Sequence, residues 1–177
     1  MAEAETRLAR NADIVVQGSC GVAPGETVLV CARKAHVNYP AGEKLFTYAR
    51  ALSEAAARLG AKPAILDLTD FLQGEAYRAG EVSAPVRAAL EAADVVINTM
   101  DDVNLGRLLG TPGNDDALLT AGQRRVFLQS NGMEEWDLSA EEVAATRPRT
   151  LRLIELLEGA RDVRVTSPAG TDFRFAM

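Results

Sequence analysis

The chain has 177 residues, 47% of them apolar and 25% charged, which suits one domain with a buried core and excludes wholesale disorder or a fibrous build. Its formal charge of −6, with 19 basic residues scattered among 25 acidic ones, speaks against nucleic acid as a partner, because a phosphate backbone is neutralised by clustered Lys and Arg. The densest basic spots, Arg124-Arg125 and Arg147 to Arg152, read as solvated helix or strand edges. No apolar run approaches the roughly 20 residues that a membrane-spanning helix needs. The opening MAEAETRLAR has no apolar signal core behind a basic start, so the expectation is a cytoplasmic protein with no membrane association.

In chain order, residues 3–19 read as a helix with Leu8, Ala12 and Val15 on one face. Pro24-Gly25 then suits a tight turn, and residues 27–32 form a continuously apolar strand, the pattern of a strand covered on both faces. Residues 41–59 give the clearest helix, with Leu45, Ala49, Leu52, Ala56 and Leu59 stepping by helical spacing and Gly60 just past the end. The alternation repeats. A strand over 63–68 is followed by a polar linker and a helix over 84–92, with Ser83 as its cap and Pro85 in its first turn. A third strand covers 94–99, a helix is expected over 115–121, and a fourth strand over 125–129.

Ser139 and Glu142 match a capping box that opens a further helix, which Pro148 should kink or divide, with Val143, Leu151, Ile154 and Leu157 facing inward. Trp136 is expected to pack the entry of that helix rather than stack on a ligand. Residues 162–175 read as a hairpin, with Val163, Val165, Phe173 and Phe175 alternating with polar residues. The predicted fold is therefore α/β: an open, mainly parallel sheet with helices on both faces, Rossmann-like or flavodoxin-like, plus a C-terminal β-hairpin. Residues 1–160 would form the α/β domain. Residues 161–177 would form a hairpin whose apolar face begins a further domain or docks on a partner subunit.

Chemistry-bearing residues are few. The single histidine, His36, excludes a multi-histidine metal cluster built from this chain. Cys20 and Cys31 cannot make a disulfide framework and do not have zinc-ligand spacing. Cys31 and His36 both fall near the carboxyl end of the first strand, which leaves open a thiol nucleophile activated by imidazole beside the plainer reading of a core cysteine and a surface histidine. Asp101 and Asp102, after the third strand, either hold a hard cation or form a solvated turn. Asn104 beside them either caps a helix or hydrogen-bonds a ligand. His36, Asp101, Asp102 and Asn104 are the candidate substrate-binding residues, and no catalytic or metal-binding residue is assigned. G-x-S-x-G, G-x-G-x-x-G and phosphate-loop patterns are all absent.

The segments GVAPGETVLV, ALSEAAARLGAKP, EAADVVINT and above all VRVTSPAGTDFRF carry a resemblance to the amino-terminal domain of the thermophilic-type metallo-aminopeptidases (aminopeptidase T and S) and of the related 2,5-dihydroxypyridine dioxygenases. The likeness runs from about Leu8 to Phe175. It implies a domain that frames the cleft of a metal-dependent hydrolase or dioxygenase acting on a peptide or small molecule. The divalent zinc, cobalt or iron would be held by a carboxy-terminal catalytic half, with no cofactor bound within this chain. A homo-oligomer is the other implied partnership. The alternative is a stand-alone, non-catalytic binding or interaction module of the same fold.

Overall fold

The computed structural model describes residues 2–34, 42–79, 81–100, 122–128 and 132–176. The strands β1 (Thr27–Ala32), β2 (Lys62–Asp67), β3 (Val95–Asn98) and β4 (Arg124–Phe127) build a parallel sheet in the order β2-β1-β3-β4. The two central strands, β1 and β3, are the continuously apolar runs, and they are buried almost throughout. That is what burial on both faces requires. The edge strand β2 is only partly covered.

Helix α1 (Ala2–Ile14) continues into a π-helical turn, Val15–Ser19, closed by Cys20 N donating to Val15 O at 2.9 Å. The predicted single helix over 3–19 thus changes hydrogen-bonding pattern in its last turn. Val15 and Val16 of this turn are both in the core. Helix α2 (Gly42–Arg58) crosses from β1 to β2 and packs on both. Leu45, Ala49, Leu52 and Ala56 face the core as predicted. Gly60, at φ 81°, ends it: Ala61 N reaches Ala56 O and Gly60 N reaches Ala57 O, a left-handed cap that a Cβ would strain.

The polar linker after β2 holds two short helices, α3 (Thr69–Gln73) and α4 (Glu75–Arg78). Helix α5 (Ala84–Glu91) follows, with Pro in its first turn; Ser83 occupies the cap position, but its side chain makes no capping hydrogen bond. Right-handed crossovers put α2 on one face of the sheet and α5 on the other, because the chain leaves β1 in one direction and returns past it to β3. The expected helix over 115–121 lies outside the described residues.

Helix α6 (Ala140–Glu158) opens on the predicted cap, Ser139 Oγ accepting from Glu142 N at 3.3 Å. Of the kink or division expected at Pro148, the division does not occur, and the helix runs through it. The carbonyl that loses its helical donor is that of Ala144, an exposed residue. Leu151 and Ile154, expected inward, are 52% and 46% exposed, because α6 meets the body through the π-helical turn near its start. Strands β5 (Asp162–Thr166) and β6 (Asp172–Ala176) form the predicted hairpin. Val163 faces Phe175 and Val165 faces Phe173 on its apolar side. On the other side Arg164 pairs with Asp172 and Arg174 with Asp162. No helix among the described residues is long and apolar enough to cross a membrane.

Candidate functional site

The strand order makes β1 and β3 neighbours whose connections leave in opposite directions, the switch point where open α/β sheets receive ligands. The chain leaves β1 through Arg33 and Lys34, and β3 through Thr99 and Met100. Thr99 ties the two exits together, its N–H and its Oγ1 both donating to Cys31 O at 3.2 and 2.9 Å. Asn98 is 1% exposed, and its Oδ1 accepts from Met100 N at 3.0 Å, which turns the backbone as it leaves the sheet. Buried Arg33 adds a cation. Beside it Asp67 accepts from Thr69 N and Thr69 Oγ1, while Lys34 donates from its N–H to Thr69 Oγ1 and from Nζ to Asp67. Partial burial raises the Asp67 pKa, but the Thr69 and Lys34 donors outweigh it and hold the carboxyl below its ordinary range.

A second polar cluster lies where α2 meets the 3-10 turn Met133–Glu135, which follows β4. Tyr48 is 2% exposed; its hydroxyl donates to Glu134 Oε2 at 2.6 Å and accepts from Gly132 N at 3.2 Å. Lys44 Nζ stands 3.2 Å from Glu134 Oε1. Burial first, then the hydrogen bond to Glu134, pushes the Tyr48 phenol up to about 12. Burial raises Glu134 too, yet Tyr48 and Lys44 leave it below its ordinary range. A shallow depression of about 200 Å3 opens there, lined by Leu8, Lys44, Thr47, Tyr48 and Glu134.

The predicted candidates His36, Asp101, Asp102 and Asn104 lie outside the described residues. The last described residues before them, Lys34 and Met100, end at the carboxyl edge. Cys31, the proposed thiol, is fully buried and its pKa is pushed up to about 12 by burial, against a smaller opposing effect of Arg125. A protonated, inaccessible thiol is a core residue rather than a nucleophile. Asn98, Thr99, Tyr48, Glu134 and Asp67 were not singled out from sequence. Asn98 alone carried a signal, an amide closing the apolar run DVVIN.

The described residues do not fit a metal. Among them no group of three or more His, Cys, Asp or Glu side chains converges. Asp67 and Glu134 are already engaged by cationic and hydroxyl donors, and both thiols are buried and held protonated by that burial. A larger cleft of about 480 Å3 lies between the π-helical turn, β4 and α6, lined by Ser19, Cys20, Arg124, Arg125, Thr146 and Arg147. Arg124, expected to be solvated, braces this region: it donates to Gly21 O at 3.0 Å and pairs with Glu26.

No curated protein matches the chain. The family model NicX, described as 2,5-dihydroxypyridine 5,6-dioxygenase, matches residues 15–177, from the π-helical turn through the hairpin. The match covers nearly the whole length, and the chain belongs to the NicX, 2,5-dihydroxypyridine 5,6-dioxygenase, family.

Proposed function

We propose that this chain is the cleft-framing α/β part of a metal-dependent ring-cleaving dioxygenase. The observation that carries the reading is the family match over residues 15–177. It is supported by a sheet whose switch point gathers Arg33, Asn98 and Thr99 at its carboxyl edge. The metal, iron in this reading, is held by residues of a catalytic half, since one histidine in the whole sequence is too few for the imidazole-rich sets that bind non-haem iron. Residues 1–160 act as the framing domain and residues 161–177 as the contact to that half or to a second subunit. The substrate is a small aromatic molecule, bound at the carboxyl edge with His36, Asp101, Asp102 and Asn104 contributing from the loops that leave it. Two free, buried cysteines agree with a cytoplasmic setting.

The test is iron analysis and oxygen uptake with 2,5-dihydroxypyridine, on this chain alone and together with a catalytic half. The chain alone should bind no stoichiometric iron and consume no oxygen, and the pair should do both. Stoichiometric iron on this chain alone would overturn the division of labour and point to Asp101 and Asp102. Release of amino acids from peptides by the pair, without oxygen uptake, would instead favour the aminopeptidase branch of the resemblance. The exposed apolar residues of α6 and the hairpin favour one second reading, a non-catalytic interaction module. Stable capture of a partner with no activity in the assembled complex would support it.

A further inference from the structure

Two polar side chains on one face of the sheet carry donors that nothing in the described chain accepts. Asn98 Nδ2 and both terminal nitrogens of Arg125 are buried without a hydrogen-bond partner among the described residues. Asn98 pairs in register with Phe127 on β4 and with Cys31 on β1. Arg125 stands two residues before Phe127, so the period of the strand puts it on the same face as Asn98 and Cys31. The Arg125 side chain is anchored at its base, Nε donating to Gln123 Oε1 at 2.8 Å. Gln123 is itself held by Leu90 O and Ala93 O at 2.6 and 2.7 Å. The guanidinium is thus fixed by the end of α5 while its outer fork stays unmatched.

We propose that Asn98 and Arg125 form an oxyanion site that takes the carboxylate of a small organic acid. A guanidinium stays charged and presents its outer N–H groups as a planar fork that fits two oxygens of one acid group. The Asn98 amide, its oxygen engaged by Met100 N, supplies a further donor. Donors without acceptors in a buried place are costly, and an oxyanion satisfies all of them together. Leu29, Val96 and Cys31 make the rest of this face apolar and buried. That setting suits a singly charged acid with an apolar body better than a multiply charged phosphate. Burial also holds the Arg125 pKa below its ordinary value, the direction expected of a cation lacking a counter-charge. The site is independent of the iron assignment, because it needs no metal ligand.

The experiment is thermal unfolding and calorimetric titration of the full chain with sodium benzoate, inorganic phosphate or sodium chloride at constant ionic strength. Benzoate should bind saturably and raise the midpoint with concentration, at least tenfold more tightly than phosphate. Arg125→Met gives up, among the described residues, only the bond to Gln123 Oε1, so it should melt close to wild type in chloride and should lose at least tenfold in benzoate affinity. Asn98→Asp keeps the oxygen that Met100 N uses and supplies a carboxylate beside Arg125. It should raise the midpoint in chloride and abolish the benzoate response. The side-chain amide signals of Asn98 should shift with benzoate in wild type and not in Arg125→Met. Three results would overturn the proposal: no benzoate response in wild type, an equal response in Arg125→Met, or a loss of stability of Arg125→Met in chloride well beyond that of Gln123→Leu, which would show that the outer nitrogens of the guanidinium have a partner within the chain. Phosphate binding as tightly as benzoate would overturn the carboxylate assignment.

Discussion

Replacing Gly18 by alanine tests how α6 is docked. A Cβ at Gly18 would lie 2.6 Å from Val143 Cγ1 and 3.6 Å from Val143 Cβ, about 1 Å inside the optimal separation of two carbons for the first contact. Val143 is β-branched and sits in the first turns of α6, so its rotation is restricted and the helix itself must yield. Such overpacking costs about 1–3 kcal/mol. Opposing it, alanine is favoured over glycine in a helical backbone by about 0.5–1 kcal/mol, and Gly18 does not have a positive φ that would bar the substitution. The net expectation is a destabilisation of about 0–2.5 kcal/mol. In a Val143→Ala background the clash disappears, and Gly18→Ala should then stabilise by about 0.5–1 kcal/mol. Urea unfolding of the four proteins in the cycle measures the coupling, expected at about 1–3 kcal/mol. If Gly18→Ala raises the midpoint equally in both backgrounds, α6 is not held against the π-helical turn and the reasoning fails.

Tyr48→Phe removes the hydroxyl that joins Glu134 to Gly132 and should cost about 1.5–3 kcal/mol, as expected for a hydrogen bond to a charged group. Because the folded state raises the phenol from 10.0 to about 12, its contribution is complete below the unfolded value and is lost as pH rises through the folded one. The variant should therefore show a shallower loss of stability across that window, read from urea midpoints against pH; an unchanged slope would count against the Tyr48–Glu134 contact. On the acid side, the depressed Asp67 carboxyl contributes above its unfolded pKa and ceases to do so as pH falls through its folded value, so Asp67→Asn should flatten the acid limb of the same profile. Cys20 and Cys31 should resist iodoacetamide at neutral pH and react only under denaturing conditions, as mass spectrometry would show; rapid labelling of the native chain at Cys31 would restore the nucleophile reading. Asn11, fully buried, donates from Nδ2 to Met133 O and Trp136 O, each at 2.8 Å. Asn11→Leu should cost about 2–4 kcal/mol by stranding both carbonyls, and a neutral effect would show that the segment after β4 does not depend on α1.

Periodicity was sufficient for the longer helices and the strands, whose patterns are local, but not for the two short helices after β2 or the π-helical turn. The run 27–32 had to be covered on both faces, and the structure puts it at the sheet centre. The spacing of Leu45, Ala49, Leu52 and Ala56 dictated which side of α2 is buried, and Gly60 where it ends. Alternation likewise gave the hairpin its two faces, apolar and charged. Leu151 and Ile154 show the limit of that logic: helical spacing marks an apolar stripe, but only tertiary contact decides whether anything covers it. Pro148 shows it again: the helix continues through it, with Ala144, whose carbonyl loses its donor, on the exposed side. The polar groups at the sheet edge depended on tertiary structure in the same way. Asn98 and Arg125 are far apart in sequence and have no spacing that links them. They share a face only because β3 and β4 pair in one particular register. Sequence alone determined an α/β chain with too few histidines for an imidazole-rich metal site. Strand order and register decided which donors meet, because contacts across a parallel sheet are set by crossover direction and pairing rather than by neighbours along the chain.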